Sequence, residues 1–296
     1  MSAAFYFALN QSLVLASIVS IVMWLKLLAG QQWQLGTLRD KLIPVRRRRR
    51  PFWTLADALI MFGIHLTLLV LLHRWMTSQG WLPAADQAPE LATAANPLAN
   101  VALMVGAGLG SCLAILLWLR LIDGDSIRRL GLLPNRSDVW LGLRASLLLL
   151  PPVLMISAAV SLLWPYEHQV LDLLQSVESI SVFAAMFLAT AIVTPIFEEL
   201  LFRVLIQGGF QAMVDPHSED PDSWQPQSWW PIGVASLVFA LMHLGQGAAP
   251  IPLFVLSLGL GYLYRQTGNI TAPVVVHMVL NGLTLIVKFN EPSSLG

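Results

Sequence analysis

Cysteine is nearly missing from this chain. Cys112 is the single example, which excludes an internal disulfide framework and any cysteine-based metal cluster and leaves a packing role for the thiol. Charge is scarce as well. Only 11% of the 296 residues are Asp, Glu, Lys or Arg, against about 25% in an ordinary soluble domain, and the formal net charge is zero. A neutral chain lacks the basic excess that a nucleic-acid partner requires. The first apolar run has neither a basic leader nor a small-residue cleavage pattern, so it reads as a retained helix rather than a removable targeting segment.

What the chain has instead is hydrophobic length. It is 56% hydrophobic with a mean hydropathy of +0.68. Runs near the 17–25 residues that cross the hydrocarbon fall at about 5–29, 55–76, 98–121 and 140–164. Four more fall at about 182–211, 231–245, 251–264 and 271–288. The expected fold class is all-α, a polytopic transmembrane bundle of about eight helices. Residues 1–139 form its amino-terminal helices and 140–296 its chemically active core, within one integrated membrane domain.

Between Gln31 and Trp53 stand seven Lys or Arg and one acid, five of them the unbroken run Arg46–Arg50. In a short loop this is the strongest positive-inside signal of the chain and predicts a cytoplasmic face, with recognition of anionic lipid as a second use. Parity then places Asp86 and Glu90 outside and Arg128, Arg129 and Arg136 inside. The segment 212–230 fits less well, because it holds Asp215, Glu219, Asp220 and Asp222 and no base. Trp24, Trp53, Trp75, Trp118, Trp140, Trp164, Trp229 and Trp230 lie near span ends, as interfacial anchors do. Gly106 and Gly110 have the spacing that lets two helices approach, and Pro151 and Pro152 are expected to kink the fourth helix. His65 and His73 read as packing or interface positions.

The polarity that demands an explanation lies further on. Glu198 and Glu199 sit in the apolar string Ala-Ile-Val-Thr-Pro-Ile-Phe-Glu-Glu-Leu-Leu-Phe-Arg, where an ionised side chain costs roughly 2.5–3.5 kcal/mol on insertion scales. Successive helical residues point about 100° apart, so the two glutamates should have separate tasks. Glu199 precedes Arg203 by four residues, the favourable order for a pair on one face. Glu198 has no base at helical spacing and is the better candidate for an activated carboxylate serving as general base or acid. Pro195 frees a carbonyl, expected to be that of Ala191. His243 follows Phe239 by four residues near the end of a short run, and His277 and Asn281 share a face of the last helix. At about 1.5 Å per residue, all four candidates fall roughly 9–20 Å from the same membrane side, which permits one polar cavity.

In this order, Glu-Glu-x-x-x-Arg at 198–203, Phe-x-x-x-His at 239–243 and His-x-x-x-Asn at 277–281 resemble the three motifs of the CAAX prenyl endopeptidase and CPBP (Abi) intramembrane proteases. The string Leu-Gly-Leu-Gly-Tyr-Leu-Tyr-Arg-Gln-Thr-Gly-Asn-Ile-Thr-Ala-Pro at 258–273 is also similar, and the resemblance spans roughly 140–288. Val204 departs from it, since the family often has glycine after the arginine.

The resemblance implies an intramembrane endopeptidase acting on a membrane-associated or hydrophobic peptide. Glu198 and His243 would activate water, and His277 and Asn281 would stabilise the oxyanion or a metal-bound water. Glu199, Arg203 and Phe239 would support them. Glu198, His243 and His277 would be the ligands if zinc takes part, although the chain has no H-E-x-x-H. Two other functions fit buried acids and histidines: a non-proteolytic immunity or scaffold factor, and a proton-coupled transporter. The expected partners are membrane lipid and a peptide or protein substrate, and the expected location is a bacterial cytoplasmic membrane.

Overall fold

The computed structural model describes residues 3–29, 42–83, 97–124, 133–134, 136–164, 179–216 and 220–291. Asp86, Glu90, Arg128, Arg129 and Glu219 lie outside these residues. Eight main helices appear and, among the described residues, no strand. They are α1 (Ala3–Ala29), α2 (Leu55–Ser78), α3 (Pro97–Ile122), α4 (Arg136–Ser161), α5 (Ile180–Val214), α6 (Trp230–Leu241), α7 (Pro250–Thr267) and α8 (Thr271–Phe289). Six of them, α1 to α5 and α8, are long and apolar enough to cross a membrane, and α6 is a shorter apolar helix. The chain is therefore an all-α, multi-pass membrane protein, with the helix order its apolar runs predict.

α5 runs for 35 residues, about 50 Å at 1.5 Å per residue, against a hydrocarbon core of about 30 Å. Its last turns must project from the apolar layer. Those turns meet the arginine run. The Arg48 guanidinium donates to the Tyr264 carbonyl at 3.0 Å and to Gln211 Oε1 at 2.8 Å, and it lies between the rings of Trp224 and Tyr264. Arg46 pairs with Asp138 of α4 at 2.7 Å, Arg49 with Asp123 just past α3, and Arg50 donates to the Ala212 carbonyl. Four of the five arginines thus staple the ends of α3, α4, α5 and α7 together, while Arg47 stays exposed. The run thus has a structural use beside its basic character. The acidic segment has a similar internal use: Asp215 accepts from the backbone N–H groups of Gln227 and Ser228 at 3.0 and 2.9 Å.

Two clusters fill the interior. The first packs Met61 of α2 and Ile115 and Leu119 of α3 against Phe197, Leu200, Leu201 and Leu205 of α5. The second packs Leu150 and Val153 of α4 against Leu256, Leu260 and Leu263 of α7 and Val276 of α8. Gly106 and Gly110 face Leu72 and Leu68 of α2, the close approach their spacing predicts. Cys112 is buried. His65 donates from Nδ1 to the Ser111 hydroxyl, 2.9 Å away, because that hydroxyl's own proton goes to the Ala107 carbonyl.

α4 continues through Pro151 and Pro152. Pro152 cannot donate to the Leu148 carbonyl, which instead accepts from Trp24 Nε1 at 3.0 Å and Ser20 Oγ at 3.3 Å of α1. Of the predicted interfacial tryptophans, Trp75, Trp140, Trp164 and Trp230 are exposed, but Trp53 is buried, with Nε1 donating to the Val204 carbonyl at 2.8 Å.

Candidate functional site

The two glutamates occupy a single α-helical turn, Thr194–Glu199, inserted between two π-helical stretches, Leu188–Val193 and Leu200–Gln207. A π turn moves the backbone bond from i+4 to i+5, and such stretches recur at functional sites. The resulting wide turns give α5 room to hold long polar side chains against three neighbouring helices.

Glu199 is fully buried and both its oxygens are taken. Oε2 accepts from Arg203 Nε at 2.9 Å and Oε1 from His277 Nδ1 at 2.9 Å. Arg203 is buried too, and its Nη2 donates to Ser257 Oγ of α7 at 2.6 Å. Its guanidinium carbon stands 5.7 Å from the centre of the Phe239 ring, within reach of a cation–π attraction. Glu198 is different. Its side chain keeps 16% of its surface exposed, and its nearest ion-pair partner is His277 Nε2, 3.5 Å from Oε2, too long for a firm hydrogen bond.

One imidazole therefore stands between both carboxylates, each facing a different ring nitrogen. The spacing argument gives Glu198 and Glu199 separate directions on α5, yet His277 reaches both from α8. With Nδ1–H committed to Glu199, Nε2 is directed at Glu198. The histidine–carboxylate bond behind it fixes ring orientation, as it does in many catalytic sites.

His243 lies just beyond α6, where the chain tightens: its backbone N–H donates to the Ala240 carbonyl, three residues back. Gly245 then adopts a φ of +96°, a left-handed conformation that glycine enters without steric cost, and so turns the chain toward α7. The His243 ring donates from Nδ1 to the Phe239 carbonyl at 2.7 Å, so in the neutral ring Nε2 is an unprotonated acceptor. His243 also lies within electrostatic range of Glu198. Phe239 is the packing hub, fully buried with ring centres 4.8 Å from His243, 5.8 Å from His277 and 5.0 Å from Phe202.

Asn281 lies on α8, one helical turn after His277. Its amide nitrogen donates to the Thr190 carbonyl of α5 at 2.9 Å. Sequence reasoning missed Ser257, although Ser257 and Gly261 have a small-x-x-x-small spacing on α7 that signals close helix contact. A Cβ on Gly261 would stand 2.7 Å from Ile232 Cγ2 of α6 and 2.9 Å from Gln207 Oε1 of α5.

Among the described residues no group of three His, Cys, Asp or Glu side chains is placed to hold a metal ion. His277 has both nitrogens turned toward glutamates and His243 has one on a backbone carbonyl.

Eight helices, six of them long and apolar enough to cross a membrane, around a buried glutamate, histidine and arginine cluster define a polytopic membrane protein with a buried polar centre. Residues 180–283 match the family model described as Type II CAAX prenyl endopeptidase Rce1-like, in agreement with the resemblance of the motifs. The match starts at α5 and is narrower than the 140–288 range over which the sequence strings are similar. It includes all the candidate residues. No curated protein and no solved structure matches the chain.

Proposed function

We propose that this protein is a glutamate-dependent intramembrane endopeptidase of the CAAX type, hydrolysing a peptide bond of a membrane-associated or hydrophobic substrate. The observation that carries the reading is the asymmetry of the two glutamates. Glu199 is saturated by Arg203 and His277, whereas Glu198, the next residue, is only loosely held and keeps exposed surface.

In this mechanism a water held between Glu198 and the bare Nε2 of His243 loses a proton to Glu198 as it attacks the substrate carbonyl. Glu198 then returns the proton to the leaving amine, the general acid–base exchange expected of a positioned carboxylate. When protonated at Nε2, His277 donates to the oxygen that gains charge, and Glu199, with Arg203 behind it, stabilises that imidazolium. Phe239 keeps both imidazoles in place. No step uses a metal. We assign the arginine-stapled end of the bundle to the cytoplasm of a bacterial inner membrane on the basic character of residues 31–53.

The test is cleavage by the purified full chain in lipid. Prenylated peptides ending in a CAAX sequence and unprenylated hydrophobic peptides should both be offered. Cleavage of either class by the wild type, lost in Glu198→Gln with the fold retained, supports the reading, and the preferred class identifies the substrate. Undiminished cleavage by Glu198→Gln, or none by the wild type, defeats it.

A further inference from the structure

In the first π-helical stretch of α5 the backbone follows an i+5 pattern: the N–H of Thr194 donates to the carbonyl of Ala189. The next bond in that register would run from residue 195 to the carbonyl of Thr190. Residue 195 is proline, which has no N–H. An orphaned carbonyl at membrane depth costs several kcal/mol, and here it is met from another helix, by the side-chain N–H of Asn281 at 2.9 Å. The released carbonyl is thus that of Thr190 and not of Ala191, because the register is π and not α.

The same solution appears elsewhere in the molecule. Pro152 leaves the Leu148 carbonyl without its α-helical partner, and Trp24 and Ser20 donate to it from α1. At α5, however, the donor sits one helical turn beyond His277, on the same face of α8. α8 is therefore attached to α5 at two points, through Asn281 on Thr190 and through His277 on the two glutamates.

We infer that Asn281 is a positioning residue, whose amide nitrogen stands in for the N–H that Pro195 lacks and thereby fixes α8, and with it His277, against the Glu198–Glu199 turn. The consequence for the reaction rests on the endopeptidase reading above. The contact itself does not. It differs from a role in which Asn281 donates directly to the substrate oxygen, because it makes Asn281 and Pro195 dependent on each other.

The experiment uses the full chain in lipid, labelled with ¹⁵N-histidine, with the His277 ring signals assigned by a His277→Gln variant. Asn281→Ala should shift those ring signals in the absence of any substrate. It should also lower kcat by about 100-fold, the scale expected when a reacting group is displaced by about 1 Å, with KM little changed. Asn281→Asp, similar in shape but without the donor, should behave in the same way. Pro195→Ala restores a backbone N–H for the Thr190 carbonyl. Alone it should leave the ring signals and activity near wild type, and combined with Asn281→Ala it should return the signals and most of the lost kcat.

Ring signals that do not move in Asn281→Ala, or that the double variant fails to restore, would overturn the inference. Restored signals without restored kcat would also overturn it, in favour of direct action on substrate. If the wild type cleaves nothing, the endopeptidase reading falls, while the ring signals still decide whether Asn281 holds His277 in place.

Discussion

Within the spans of α1 to α4, apart from Asp138 in the first turn of α4, which pairs with Arg46, polar side chains that join or brace the helices are neutral and meet a backbone carbonyl or a hydroxyl: Trp24 and Ser20 on Leu148, His65 on Ser111, Ser111 on Ala107. Between α5 and α8 they are ionisable and meet one another: Arg203 with Glu199, Glu199 with His277, His277 with Glu198. Neutral contacts of this kind contribute roughly 0.5–1.5 kcal/mol each and hold helices in register. A charged cluster at membrane depth is expensive by comparison, and apolar residues would pack the same helices without that cost. Its presence in one half of the bundle marks that half as the place of chemistry.

Five changes bear on this contrast. The largest effect is expected at the charged turn. Glu198→Gln should lower kcat by about 10²–10⁴-fold, the usual contribution of a general base, while thermal unfolding in detergent stays near wild type. Glu199→Gln should do the reverse first: it strands a buried guanidinium, which costs about 3–5 kcal/mol, so loss of folded protein accompanies loss of activity. Similar unfolding behaviour in the two variants would erase the distinction between an available and a saturated carboxylate.

A smaller loss should follow from Gly261→Ala, whose new methyl meets Ile232 and Gln207. Overpacking of this kind costs about 1–3 kcal/mol and should appear as a lowered unfolding temperature. In the neutral half, Trp24→Phe removes one of the two donors to the Leu148 carbonyl. It should cost only about 0.5–1.5 kcal/mol and leave cleavage intact. Smallest of all is metal removal: chelation should leave cleavage unchanged and measured zinc should not track activity. Inactivation by a chelator that added zinc reverses would show that a metal enters the site in a geometry different from this one.

Much of the fold was legible because a bilayer enforces it. A run of about twenty apolar residues can satisfy its backbone inside hydrocarbon only as a helix or closed barrel, so helix number and order follow from composition. The Glu199–Arg203 pair was legible for a local reason, since four residues bring two side chains to one face of α5. Ser257 was harder to find, because its bond to Arg203 joins residues on separate helices, and only its spacing from Gly261 hints at close packing.

The arginine run shows how a compositional signal can conceal a specific structure. Seven basic residues in 31–53 read as a positive loop, yet Arg46, Arg48, Arg49 and Arg50 each find a particular acid, amide or carbonyl. Those partners are about 75–165 residues away in the chain, and no local spacing rule connects them.

Composition and short-range spacing were enough to establish a multi-pass helical protein, the charged turn on α5, and the separate directions of Glu198 and Glu199, because hydrophobic length and helical angle are local properties. Packing between helices settled the rest: that His277 stands between both glutamates, that Glu199 is saturated while Glu198 is loosely held, and that Asn281 answers Pro195. These depend on which carbonyls a π register exposes and which side chains arrive from other helices, and both are set only when the helices come together.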